Sequence, residues 1–268
     1  MVLKAVLKPA ILFFILVSVA AGQISPNTRL LQRSEWDGAI GVGFHPDLWP
    51  LSFQNSLRFQ EWKHATAIMY GPSLSATFME TVTAGGRFWC ISYDPKPGDR
   101  DTVFSDIDLW TKYQLLDEPV SISAGLLFTI PSGDYDIPHP SATGKYNFEF
   151  FSAVRYYITE SFVLIAHLGI RFNNDRKITS GNSKTEIEGE TSYQAGGGII
   201  VKILQELDLV GEFNFETKRY CRQERDEEAL LGLRYFLAET ANLSGGLGIG
   251  FEDETPEWES ILTLELLL

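Results

Sequence analysis

Eleven side chains in this sequence have the acid–base and charge chemistry that a polar passage needs. They are Asp106, Asp108, Lys112, Glu149, Arg155, His167, Arg171, Lys202, Glu212, Arg234 and Glu265. Both signs are present, and each residue falls at a polar position in a run that otherwise alternates with apolar residues. Charges held in a narrow interior pair with one another, because an unpaired buried charge is costly. Two readings stay open on that ground. The set is a salt-bridged lattice that fills an interior, or it lines a path that sorts solutes by charge.

Other chemistry is poorly supported. The four histidines are His45, His64, His139 and His167. None stands in a nucleophile motif, and no metal-ligand spacing accompanies them. We therefore expect no catalytic residue, no metal, no cofactor and no enzymatic activity. The acidic run Glu252-Asp253-Glu254-Thr255-Pro256-Glu257 reads as a solvated turn.

The elements that carry the eleven residues are strands. The clearest lie within 104–136. Ile107, Leu109, Thr111, Tyr113 and Leu115 alternate with Asp106, Asp108, Trp110, Lys112 and Gln114. After a short turn at 116–119, Val120, Ile122, Ala124, Leu126, Phe128 and Ile130 alternate with Ser121, Ser123, Gly125, Leu127 and Thr129. A period of two gives each strand one apolar and one polar face, and the short connection makes the pair an antiparallel hairpin. Similar runs are expected at 36–45, 62–70, 74–92, 146–157, 162–172, 191–203, 207–216, 229–236, 243–251 and 258–268. The run at 74–92 is long enough to be two strands. Gly71-Pro72 reads as a tight turn, and the stretch with Pro46 and Pro50 as a long loop.

Two regularities then point to one architecture. Connections alternate, long after the first, third, fifth, seventh and ninth strands and short after the even ones. Aromatic residues gather near strand ends, with Leu, Ile, Val, Ala and Gly between. Long loops on one rim, tight turns on the other and two aromatic girdles are the pattern of outer-membrane barrels. The expectation is all-β: a closed antiparallel up-and-down transmembrane β-barrel of about 12 strands.

Compartment and charge agree. Lys4 and Lys8 precede an apolar run at 10–21, so residues 1–22 read as a secretory signal peptide. Residues 23–35 read as a periplasmic lead-in and 36–268 as the barrel. No other stretch reaches the ~20 apolar residues of a membrane helix. A formal net charge of −13 excludes nucleic acid as a partner and leaves no polybasic surface for anionic lipid. Cys90 and Cys221 fall on well-separated strands, so two unpaired thiols are expected.

The hairpin also carries a resemblance. Asp106, Lys112-Tyr113 and Pro131-Ser132-Gly133-Asp134 resemble the mid-barrel hairpin of the outer-membrane family named after the meta pathway of phenol degradation. That family has Gly-x-Gly-Asp leading to Lys-Tyr, then a strand ending Pro-Thr-Gly-Asp. This chain departs at Phe104-Ser105 and at Ser132. The resemblance implies a passive outer-membrane transporter for a small, aromatic or hydrophobic solute. Its implied partners are outer-membrane lipid and the barrel-assembly machinery. That machinery commonly reads a terminal aromatic residue, whereas here the last residues are Leu266-Leu267-Leu268.

Glycines fall at inward positions on several strands, including Gly196, Gly198, Gly232, Gly246 and Gly248. Trp110, Phe151, Arg155, His167 and Arg171 make a bulkier inner wall. Either the bulky residues fill the interior, or a groove runs along the glycines.

Overall fold

The computed structural model describes residues 51–268 apart from 79–80, 97–99, 117–119, 134–142, 181–182, 222–224, 239 and 253–254. Every regular element among the described residues is a strand. In chain order they are β1 (Leu51–Trp62), β2 (Ala65–Phe78), β3 (Val82–Arg87), β4 (Cys90–Pro95), β5 (Asp101–Phe104), β6 (Ile107–Leu116), β7 (Val120–Ile130) and β8 (Asn147–Thr159). There follow β9 (Phe162–Phe172), β10 (Arg176–Ser180), β11 (Ser183–Ile187), β12 (Thr191–Leu204), β13 (Leu207–Glu216), β14 (Asp226–Ala238), β15 (Ala241–Gly250) and β16 (Trp258–Leu267).

Antiparallel pairing runs round a ring. β1 pairs with β16 on one side and β2 on the other, so the sheet closes on itself. Closure pairs β1 and β16 on both sides, where a hydrocarbon surround would not tolerate an open edge. β3 and β4 are successive halves of one wall, and β5 and β6 are halves of the next. Counted by walls, the barrel has 12 strands, as expected. β10 and β11 form a separate hairpin in the connection between β9 and β12.

The period of two sorts the faces as the sequence suggests. Outward positions are apolar and exposed: Leu109, Tyr113 and Leu115 on β6, Phe150 and Tyr156 on β8, Leu231, Leu233 and Tyr235 on β14. So large an apolar exterior suits lipid, not water. Phe128, Phe172, Phe213, Phe251 and Trp258 lie at the long-loop end, and Tyr113, Tyr156 and Tyr235 at the short-turn end.

The first quarter of the barrel differs from expectation. The strand at 36–45, the signal peptide at 1–22 and the lead-in at 23–35 lie outside the described residues. The long loop expected before residue 62 is largely β1, where Leu51, Phe53, Leu57 and Phe59 alternate with Ser52, Gln54, Ser56, Arg58 and Gln60. The connection after it is only Lys63-His64, so the long connection expected after the first strand is absent, and the first longer one follows the third wall, between β4 and β5. The run 74–92 is divided between β2, β3 and β4.

Gly71-Pro72 is not a turn but the middle of β2. There β2 changes partner, from β4 over 65–70 to β3 over 73–78. Proline, with no N–H to give a ladder, is tolerated at such an irregularity. Gly71 is required for a second reason: a Cβ there would lie 2.4 Å from the Trp89 indole, which rests on it. Opposite the break, the Trp89 amide donates to Ser105 Oγ at 2.7 Å, and the Ser105 amide to the Trp89 carbonyl at 2.7 Å. Tyr70 and Phe88 therefore lie at mid-wall rather than at strand ends. Cys90 on β4 and Cys221 after β13 are both free thiols.

Candidate solute vestibule and lumen

At the long-loop end the inward faces enclose a cavity of about 160 Å³, room for on the order of ten water molecules. Its lining is drawn from nearly the whole ring. Arg58 and Gln60 come from β1, Arg87 from β3, Asp108 from β6, His167 and Arg171 from β9, Gln194 from β12, Glu216 from β13 and Glu228 from β14. Asp106, Thr143, Arg219 and Tyr220 join them from connections.

Its charges are organised in pairs. The Arg87 Nε donates to Asp108 Oδ2 at 3.1 Å, while Thr129 Oγ1 donates to Asp108 Oδ1 at 2.7 Å. Arg171 sits between two acids. Its Nε donates to Glu149 Oε2 at 2.7 Å, and its Nη1 is 3.8 Å from Glu216 Oε1. Glu149 is wholly buried, so Arg171 is the countercharge that makes its burial tolerable. Arg219 also pairs with Glu216, and Ser192 Oγ donates to that carboxylate at 2.8 Å. The Arg58 guanidinium lies over the Trp89 ring, 5.5 Å from its centroid, a cation–π contact.

Asp106 has another task. It accepts from the amides of Gly133, Thr143 and Gly144 at 3.3, 2.7 and 3.0 Å and from Thr143 Oγ1 at 2.7 Å. One carboxylate thus ties both ends of the β7–β8 connection to the start of β6. Gly144 has φ 63°, the left-handed conformation that glycine adopts without strain.

Below the cavity, apolar side chains cluster on the inward faces among the described residues. Trp110, Leu127, Phe151 and Ala153 form one apolar cluster, and Val163, Ile200, Val210, Leu230 and Ile261 another. None of them lines the cavity. Part of the glycine wall is crowded by its neighbours: a Cβ at Gly196 would lie 2.3 Å from the His167 imidazole, and one at Gly248 2.7 Å from the Leu230 side chain. On the bulkier wall, one at Gly125 would lie 2.3 Å from the Phe151 ring. Deeper still, Arg234 donates to Asp208 Oδ2 from Nη2 at 2.8 Å and from Nε at 3.3 Å, both residues buried.

The eleven candidates therefore divide. Asp106, Asp108, His167 and Arg171 share the cavity, with Glu149 directly behind Arg171. Lys112, Arg155, Lys202, Glu212 and Arg234 point inward on the strands but lie outside the cavity lining. Glu265 stitches the closure: it accepts from Ser52 and Gln54 of β1 at 2.8 and 2.9 Å and from Asn242 of β15 at 2.9 Å. Sequence reasoning missed Arg58 and Gln60, although the alternation in 51–60 carries them. It also missed Arg219 and Tyr220, which lie in a charged connection with no periodicity to reveal them. Among the described residues no three His, Cys, Asp or Glu side chains gather as a metal site.

Comparison with known proteins gives a family and a fold. The family model described as "Putative MetA-pathway of phenol degradation" matches residues 49–266. No curated protein matches the chain. An outer membrane channel from Pseudomonas putida F1 is similar over 92% of this chain and 100% of its own, with a TM-score of 0.69 at 12% identity. The NanC porin is similar over 81% of this chain and 98% of its own, with a TM-score of 0.55 at 10% identity. The beta domain of the Bordetella autotransporter BrkA is similar over 83% of this chain and 100% of its own, with a TM-score of 0.55 at 11% identity. Likeness at such identities carries the fold, and one fold hosts several activities.

Proposed function

This chain belongs to the family described as "Putative MetA-pathway of phenol degradation", and on that premise we propose that it is an outer-membrane channel passing a small polar solute by diffusion. The observation that carries the reading is the polar cavity at the long-loop rim of a closed barrel whose exterior is apolar. In this reading the long loops face outward, the girdles sit at the two bilayer interfaces and residues 1–22 serve export. The cavity is the vestibule where a solute first loses bulk water.

The solute is small because the enclosed space is small. It is polar because the lining carries four arginines, Arg58, Arg87, Arg171 and Arg219, among acids and amides. An unsubstituted hydrocarbon would leave those groups without water or partners, which is costly. The aromatic or hydrophobic solute implied by the resemblance fits this lining only with a polar or ionised group attached. Passage requires Trp110, Phe151 and their neighbours to swing aside, and these are side chains of the walls themselves.

A second reading rests on those same apolar clusters: a closed barrel that carries binding at its mouth and passes nothing. Single-channel recording of the refolded barrel in planar bilayers separates the two. Discrete, ion-selective steps support the channel. A folded, heat-modifiable barrel that stays silent, as wild type and as Trp110→Ala, overturns it in favour of the closed barrel.

A further inference from the structure

Three side chains of the vestibule also face a second, deeper space. Arg58, Arg87 and Trp89 line the large cavity. The same three line a cavity of about 10 Å³ further from the long-loop rim, together with Gln54 and Ser56 of β1 and Gly71 and Ser73 of β2. That is space for about one water molecule. Arg58, Arg87 and Trp89 are thus the partition between a wide chamber and a narrow one.

The members of this partition are held differently. Arg87 is tied to Asp108 by the 3.1 Å ion pair. The Arg58 Nη1 lies 3.9 Å from Glu259 Oε2, which also accepts from Gln60 Nε2 at 3.0 Å. The Trp89 backbone is fixed to Ser105 from both its amide and its carbonyl. Its indole is pinned more lightly. One side rests on Gly71, and the Arg58 guanidinium lies over the ring. A fixed backbone with a ring held by packing and one cation–π contact lets the side chain turn without unmaking the wall.

What lies beyond the partition suits a polar solute. Ser73, Ser75 and Thr77 follow one another at inward positions down β2, with Ser56 and Ser52 beside them on β1. The hydroxyls of Ser56 and Thr263 share a hydrogen bond at 2.9 Å, and those of Thr77 and Thr83 one at 3.2 Å. Trp110, Leu127 and Phe151 stand instead on β6, β7 and β8, and most of the second apolar cluster on β9 and β12 to β14.

We infer that the Trp89 indole is the door between the two cavities, and that a polar solute leaves the vestibule under it, along the inward hydroxyls of β1 and β2. The inference deepens the channel reading and rests on it for passage, though not for the door itself. A solute entering so narrow a space sheds its water, and the hydroxyls with Gln54 replace the lost hydrogen bonds. Trp110, which lies over Gly85 of β3, is then the second constriction on this route and Trp89 the first.

The test uses the full barrel, refolded and verified by heat-modifiable gel mobility, with Cys90→Ser and Cys221→Ser removing the native thiols. In that background Ser73→Cys reports on the narrow cavity, and Ser123→Cys, buried on β7, is the control. Reaction with methyl methanethiosulfonate is timed, and unreacted thiol is counted with a maleimide after unfolding. Adding Trp89→Ala is expected to speed the reaction of Ser73→Cys by roughly tenfold or more, because thiol exchange depends on access. Ser123→Cys is expected to keep its rate. Arg58→Gln removes the cation–π contact, leaves the ring in place and is expected to speed Ser73→Cys by roughly several-fold. It carries the test if Trp89→Ala does not fold. The proposal is overturned if neither change speeds the reaction, or if Ser123→Cys is speeded equally, which would mark general loosening. Conductance of the same preparations keeps the two readings apart. Labelling that depends on Trp89 in a barrel that never conducts sinks the channel alone. A conducting barrel whose labelling ignores Trp89 sinks the door alone.

Discussion

The Trp110 indole of β6 lies across Gly85, its paired residue on β3, where a Cβ would come within 2.5 Å of the ring. The Leu74 carbonyl stands 2.8 Å from the same point, so the position is closed by backbone as well. A glycine on one wall is thus the seat of the largest side chain in the apolar floor. Gly85→Val is expected to displace the indole and lower stability by about 1–3 kcal/mol, the usual cost of overpacking. Urea unfolding followed by tryptophan fluorescence measures it. Unchanged stability would show that the ring moves freely, contrary to the packing described.

Removing the ring instead of its seat should act on conduction. Trp110→Ala and Phe151→Ala each take a large side chain out of the first apolar cluster. Planar-bilayer recording should show a larger unitary conductance for the double variant than for either single one. If the double variant conducts no better than wild type, the floor is not set by these two rings.

Arg171 and Glu149 make a sharper thermodynamic case. Glu149 is fully buried, and the Arg171 Nη2 lies 2.6 Å from its Oε2. Arg171→Gln leaves that carboxylate without its countercharge and should cost about 3–5 kcal/mol. Adding Glu149→Gln should recover much of the loss, because two amides need no ion pairing. A double-mutant cycle in urea reads the coupling, and additive losses would count against the pair. In the channel reading, Arg171→Gln also shifts reversal potentials toward cation selectivity.

The grip of Asp106 on the β7–β8 connection is open to proteolysis. Asp106→Ala deletes the acceptor for the amides of Gly133, Thr143 and Gly144. Cleavage by trypsin at Lys145 should become several-fold faster while the barrel core stays intact, since cleavage tracks local opening when reclosing is fast. An unchanged rate would mean that the connection is held by other contacts. Gly144→Ala, at φ 63°, should loosen it by a smaller amount, about 1 kcal/mol.

Arg234 and Asp208 are a buried pair deep in the barrel, each 2% exposed or less. Either single change, Arg234→Met or Asp208→Leu, should destabilise strongly, again by about 3–5 kcal/mol, whereas the double change should be close to neutral. Thermal unfolding by circular dichroism of the three variants decides it. A double variant as unstable as the singles would mean that the pair also sets the β13–β14 register.

Much of this barrel is legible along the chain, and where it is not, a physical cause can be named. From β6 onward, apolar and polar residues alternate over most of each strand, with bulges only near the short-turn ends, so most faces and the inward set from Asp108 to Glu265 follow directly. In the first quarter, local signals point the wrong way. Gly71-Pro72 reads as punctuation, while the alternation in 51–60 is broken by Asn55. Asn55 is at home on β1 because the Tyr70 hydroxyl of the adjoining strand donates to its Oδ1 at 2.6 Å. No local window holds that fact.

The sequence by itself determined which residues face which solvent, since that depends only on the period of two and on the chemistry of each side chain. The wall number agrees at 12 as well, although β1 takes the place in that count of the strand expected at 36–45. Only the tertiary structure decided what the inward faces do. Which arginine meets which acid depends on register between strands far apart in sequence, as when Glu265 joins Ser52 across the closure. Whether a glycine opens a groove depends on whether a ring across the ladder leans over it, and here Trp89, Trp110, Phe151 and His167 all do. The corner of the cavity at Arg219 and Tyr220 is the extreme case. Its residues come from connections with no periodicity, and only closure of the ring brings them over one cavity.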